Sequence, residues 1–174
     1  MRRIVCFVPG IPTARNVDHT GFVVPDLGSA TTFFVDVLGA TFVYESEWIE
    51  LSAGRTRIAM LRVGPVTNVE LIQNDPESGA APARGALGSP HLAFYVDDIE
   101  RAVAYLTERN VEVALPIQRP NGPVLGESFV YFVAPWGTWM ELRTHANGLA
   151  YEKLTSARTY PAASWGVGNS AVVA

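Results

Sequence analysis

The chain has 174 residues, 48% hydrophobic and 17% charged, a balance that fits a folded globular protein and excludes a disordered or fibrous one. Its formal net charge is −4 and no run of Lys or Arg interrupts it, so a phosphate backbone meets no clustered cations and nucleic acid is excluded as a partner. The single cysteine, Cys6, has no intramolecular disulfide partner, and no apolar run approaches the roughly 20 residues of a membrane span. The expectation is a cytoplasmic protein without a membrane partner.

In chain order, residues 1–15 read as an N-terminal arm, because Pro9-Gly10 breaks the apolar run at 4–8 before it reaches the length of a signal sequence. The first module, 16–74, opens on "DHTGFVVPD", a short strand with His19 near its start and Asp26 at its end. Asp26 is a predicted N-cap for a helix over 27–38 that stops at Gly39. Strands follow over 40–44, 48–52, 56–63 and 66–73, where β-branched and aromatic residues concentrate. Residues 75–89, "DPESGAAPARGALGS", are a linker by composition.

The second module, 90–146, begins with a near copy of the first phrase, "PHLAFYVDD". An offset of 72 lays His91 on His19, Phe94 on Phe22, Val96 on Val24 and Asp98 on Asp26. It continues with Ile99 on Leu27, Ala102 on Ala30 and Tyr105 on Phe33. A helix is predicted over 99–109 and strands over 111–115, 128–134 and 139–144. Each copy is thus approximately β-α-β-β-β, an α+β chain of two tandem modules, with a C-terminal tail over 147–174 that shows no periodicity.

The last strands of the copies also correspond, "NVEL" with Glu70 and "WMEL" with Glu141. A carboxylate between apolar neighbours is costly unless paired or bound to a cation. Strand side chains alternate between faces, so His19, Gly21 and Val23 share one face while Phe22 and Val24 take the other. His91, Ala93 and Tyr95 likewise oppose Phe94 and Val96. Both histidines therefore point away from the helix layer, and pairing the copies brings two imidazoles and two carboxylates, His19, Glu70, His91 and Glu141, towards one concave side. That donor set suits Zn²⁺, Ni²⁺, Co²⁺, Mn²⁺ or Fe²⁺ and leaves coordination positions for a substrate.

These paired modules, the four-residue pattern and the ending "APWGTWMEL" resemble the vicinal oxygen chelate superfamily over about 16–144; the ending is similar to that family's "DPxGxxxEL", with Ala134 in the place of Asp. The resemblance implies two βαβββ units in an open, U-shaped mixed sheet around a divalent metal, a single domain overall, and a homodimer. It also implies that His19, Glu70, His91 and Glu141 are the four ligands of the glyoxalase and epimerase branch, with Zn²⁺, Ni²⁺, Co²⁺ or Mn²⁺ as the cofactor. Iron-dependent ring-cleaving and epoxide-opening members use three ligands, and binding-only members usually lose the set.

The chemistry that follows is isomerisation or epimerisation of a small polar molecule. A metal holding a carbonyl or hydroxyl oxygen acidifies the adjacent C–H and stabilises the enolate or enediolate, and a carboxylate, Glu70 or Glu141, removes the proton. Substrate contacts are expected from Tyr95, Trp139, Arg143 and Asn74. Trp136 also offers an aromatic face, and the ending "PWGTWMELRTHANGLAYEK" resembles a subgroup that contains epimerases of keto-cyclitols.

The alternative is a glyoxalase I-like lyase acting on a hemithioacetal. Asn74 matches a glutathione-contacting asparagine of bacterial glyoxalases, whereas Val23 stands where those enzymes carry arginine. A third reading, a non-catalytic drug-binding or resistance protein, takes its motive from the acidic balance and the tryptophans. His145 lies outside the repeat and reads as structural or exposed.

Overall fold

The computed structural model describes residues 17–52, 54–77, 79–89, 91–145 and 148–156. The expected arm at 1–15, with Cys6, and most of the expected tail lie outside the described residues. The chain divides into two compact units between Gly79 and Ala80.

In the first unit the strand β1 (Thr20–Val23) leads to Asp26, whose carboxylate accepts from the Ser29 N–H and caps helix α1 (Leu27–Thr32). Hydrogen bonding to the Ser29 side chain, and next to its N–H, holds the Asp26 carboxyl below its ordinary value. The predicted uniform helix to Leu38 is revised: residues Phe33–Val37 widen into a π-turn, with the Leu38 N–H donating to the Phe33 carbonyl. The adjacent Phe33 and Phe34, which open that turn, are both buried. Gly39, at φ +71°, ends the helix as predicted.

Four strands follow: β2 (Thr41–Glu45), β3 (Ile49–Leu51), β4 (Gly54–Val63) and β5 (Thr67–Asp75). The sheet order is β1-β5-β4-β2, with β1 parallel to β5, β4 antiparallel to β5 and β2, and the short β3 pairing on β4 as an added antiparallel strand. Phe22, Leu27, Ala30, Phe34, Ala59, Leu61, Val69 and Leu71 are buried in this unit. The Phe22 and Phe34 rings lie 6.5 Å apart.

The second unit repeats the pattern with β6 (Leu92–Tyr95), helix α2 (Ile99–Glu108), β7 (Glu112–Gln118), β8 (Ser128–Val133) and β9 (Trp139–Thr144). Asp98 caps α2 by accepting from the Arg101 N–H, as Asp26 caps α1. The order β6-β9-β8-β7 is the first unit's order in equivalent strands, again with the first strand parallel to the last. Strand β7 runs past the predicted end at Leu115. Its ladder is irregular between Ala114 and Gln118, where Pro116 lacks an N–H, a defect that an edge strand accommodates. Val130, Phe132, Met140, Leu142, Ile99 and Leu106 form this unit's core.

The two units are thus α+β with mixed sheets. The stretch expected to be a linker is shared out between them: Asp75 ends β5, and residues 80–89 belong with the second unit, folded into turns by Ala86 N–H to Ala83 O and Ser89 N–H to Ala86 O. Among the described residues no helix is long and apolar enough to cross a membrane.

Candidate metal centre

The ladder registers carry the site. In the first unit Gly21 of β1 lies opposite Glu70 of β5; in the second, Ala93 of β6 lies opposite Glu141 of β9. Each histidine stands two residues before that small residue, on the same face, so its imidazole reaches across Gly or Ala to the neighbouring strand's carboxylate. His19 Nε2 is 3.4 Å from Glu70 Oε2, and His91 Nε2 is 2.8 Å from Glu141 Oε2. The face assignment made from alternation holds: Phe22 and Val24 are buried while Val23 between them is 48% exposed.

The structure therefore brings His19 to Glu70 and His91 to Glu141, each within its own unit. Among the described residues no group of three or more His, Cys, Asp or Glu side chains is gathered as a metal-binding cluster.

Asp18, which spacing alone did not single out, holds His19 from the other side. Its Oδ1 lies 2.8 Å from His19 Nδ1. That hydrogen bond raises the His19 pKa, with a further contribution from Glu70. A carboxylate on one ring nitrogen fixes the tautomer and turns Nε2 outward as the donor atom, the arrangement that supports histidine as a metal ligand. The dipeptide Asp-His at the strand start was the available signal. Asp18→Asn is expected to weaken divalent-ion binding by about tenfold, the low end for loss of such a partner, and to return the His19 pKa towards its ordinary value. Isothermal titration and NMR titration of the imidazole measure the two effects.

Glu141 is buried, and burial raises its pKa, opposed by the nearby charges of His91 and Arg143 and by the His91 hydrogen bond. A carboxylate kept out of water and matched to an imidazole is a better base and a better cation ligand than a surface carboxylate.

The other expected contacts fall on the same two faces. Asn74 shares the Glu70 face of β5 and lies opposite Thr56. Tyr95 pairs with Arg143 in the ladder, and its ring meets that of His145 at 4.9 Å, edge-on. Trp139, two residues from Glu141, lies edge-on to Tyr131 at 6.3 Å, and Tyr131 sits opposite Glu141 and edge-on to His91 at 5.6 Å. Arg143 is ion-paired with the buried Glu127, and its Nε is itself buried. A lone acidic residue ahead of a strand carries no pattern, which is why Glu127 escaped the sequence reading.

The profile of the Glyoxalase/Bleomycin resistance protein/Dioxygenase superfamily matches residues 18–131. The chain belongs to this superfamily. Within the superfamily it is 37% identical over 172 residues to a 2-epi-5-epi-valiolone epimerase of an Actinomyces species, covering 90% of this chain and 94% of that protein. Its fold is similar to that of the glyoxalase family protein from Enterococcus faecalis, with a TM-score of 0.61 at 25% identity over 74% of this chain and 97% of the other. The trypanothione-dependent glyoxalase I of Leishmania major shares the fold at a TM-score of 0.58 and 22% identity, over 81% of this chain and 93% of that one.

The donor chemistry of this chain fits the divalent ion that such superfamily members commonly use. Two imidazole nitrogens and two carboxylates are borderline-to-hard donors, each histidine is already directed at a carboxylate, and one has its second nitrogen tied back by Asp18.

Proposed function

We propose that the protein is a divalent-metal-dependent epimerase of a small polyhydroxylated ketone, a keto-cyclitol in the class of 2-epi-5-epi-valiolone. The observation that carries this reading is the duplicated His–Glu pair at matching ladder registers, Gly21 opposite Glu70 and Ala93 opposite Glu141, in a chain 37% identical to an epimerase of that substrate.

His19, Glu70, His91 and Glu141 would hold the divalent ion, Zn²⁺, Ni²⁺, Co²⁺ or Mn²⁺. When bound, the ion supplies Lewis acidity that makes a C–H beside a ketone easier to ionise. The remaining work belongs to side chains. Glu141, whose burial strengthens it as a base, removes the proton. Glu70, paired with His19 in the first unit, is the acid that returns a proton. Trp139 and Tyr131 flank Glu141 and form an aromatic wall of the second unit's site.

The test is reconstitution with each ion followed by metal analysis, then incubation with 2-epi-5-epi-valiolone in D₂O. Inversion accompanied by deuterium at the carbon next to the ketone is expected. A protein that retains no divalent ion, or that inverts nothing while loaded, sinks the proposal. Asn74 on the Glu70 face supports the lyase as a second reading; turnover of the hemithioacetal of methylglyoxal and a thiol, without cyclitol epimerisation, would favour it.

A further inference from the structure

Polyhydroxylated ketones are bound through their oxygens, and the arginine that the sequence offers for this, Arg143, is engaged elsewhere. Its guanidinium is ion-paired with buried Glu127, and its Nε is enclosed. With Arg143 paired to Glu127, the face around His91 and Glu141 has room for a second donor.

A second guanidinium stands over that face. Arg84, exposed on the stretch before β6, places its Cζ 5.1 Å from the centre of the Tyr131 ring and 5.2 Å from that of Trp139. Tyr131 is the ladder partner of Glu141 and touches the edge of His91, so Arg84, Tyr131, His91 and Glu141 form one contiguous set. The strap that carries Arg84 is held by its own turns and passes close to the β8–β9 turn, where a Cβ on Gly137 would lie 3.4 Å from the Ala81 Cβ.

Stacking on an aromatic ring uses the flat face of a guanidinium. Its five N–H groups lie in the plane and remain available at the edge. We propose that Arg84 is the substrate-contacting cation of the second unit's site, donating from that edge to hydroxyl or carbonyl oxygens of the polyhydroxylated ketone. This rests on the epimerase reading and adds to it a specificity-determining residue from outside the two repeated modules.

The experiment uses the full chain loaded with metal and assays epimerisation of 2-epi-5-epi-valiolone in the wild type, R84A and R84K. R84A is expected to raise KM about tenfold with kcat within about twofold, the signature of a lost binding contact. R84K, which keeps the charge but loses the planar fork, is expected to fall between the two. Metal content and Tm should be unchanged in both, and the Kd for the same compound, from quenching of tryptophan fluorescence, should follow KM. A strap anchor without substrate contact would instead shift Tm and leave KM and Kd alone, which would overturn the proposal. A KM that falls in R84A would also overturn it, because the strap would then obstruct the site. Active wild type with an indifferent R84A sinks this inference alone; a metal-loaded wild type without activity sinks the epimerase reading, and this inference with it.

Discussion

Glu141→Gln is expected to lower kcat/KM about a thousandfold, within the range associated with removal of a positioned general base, and to abolish stable metal retention. Its effect on the metal-free fold should run the other way. Burial holds the Glu141 carboxyl above the ordinary carboxylate range, with His91 and Arg143 pulling it back in part. A group whose folded-state pKa is raised in this way favours folding only while it is protonated. As pH rises from the unfolded value through the folded one, the unfolded chain gives up its proton first, and stability is lost across that window.

Above that window the metal-free wild type carries the net cost of the buried carboxylate, and glutamine removes it. Thermal unfolding should show metal-free E141Q with a Tm equal to or above that of the wild type at pH 7, the gap closing on acidification. Metal uptake by the wild type should fail at a higher pH than an exposed carboxylate would allow, since the ligand must be deprotonated. A lowered Tm for E141Q at neutral pH would show that the His91–Glu141 pair stabilises the fold by more than burial costs it, contrary to this account.

Phe132→Ala is expected to cost about 3–5 kcal/mol of stability, the range for removing a fully buried aromatic side chain. Phe132 is 0% exposed, lies opposite Met140 in the ladder, and its ring is 6.1 Å from that of Phe94. It packs on the side of the sheet away from Glu141, so it bears on β6 and β9, the two strands that carry or adjoin the second His–Glu pair, without touching the chemistry. Denaturant titration measures the loss as a shift in midpoint at constant slope. Under conditions where the variant is still folded, kcat should stay within about tenfold of the wild type, in contrast to E141Q. A shift in stability below about 1 kcal/mol would mean that neighbouring side chains collapse into the vacated space.

Much of the fold was legible because two periodicities were clean. The alternation in "HTGFVV" and "HLAFYV" set the faces, and Asp26 and Asp98 marked the helix starts that the structure shows. The π-turn at Phe33–Val37 was not legible, because consecutive Phe33 and Phe34 look the same whether one or both are buried; packing decides it. The two His–Glu pairs were legible because a duplicated sequence prints each matched position twice. Arg84, Glu127 and Asp18 occur once, outside the repeat correspondence; the contacts of Arg84 and Glu127 arise from how loops return to a sheet face, and that of Asp18 from its place beside His19. Arg143 shows the complementary difficulty: strand parity puts it on the Glu141 face, but its ion-pair partner lies sixteen residues away in a loop, a distance at which parity says nothing.

Because each histidine meets its glutamate across a ladder, the separation of the donors is set by backbone pairing, with side-chain flexibility adding little. Deleting one residue from β5 ahead of Glu70, or from β9 ahead of Glu141, would carry the carboxylate to the helix side of its sheet and bring an apolar neighbour such as Leu71 or Leu142 to the open face. The two final strands are therefore intolerant of length change, while the turns that join them to β4 and β8 have no such bookkeeping to keep. Natural or laboratory variation in this chain should accordingly place its insertions and deletions in those turns, and leave the spacing from strand start to glutamate fixed in both halves.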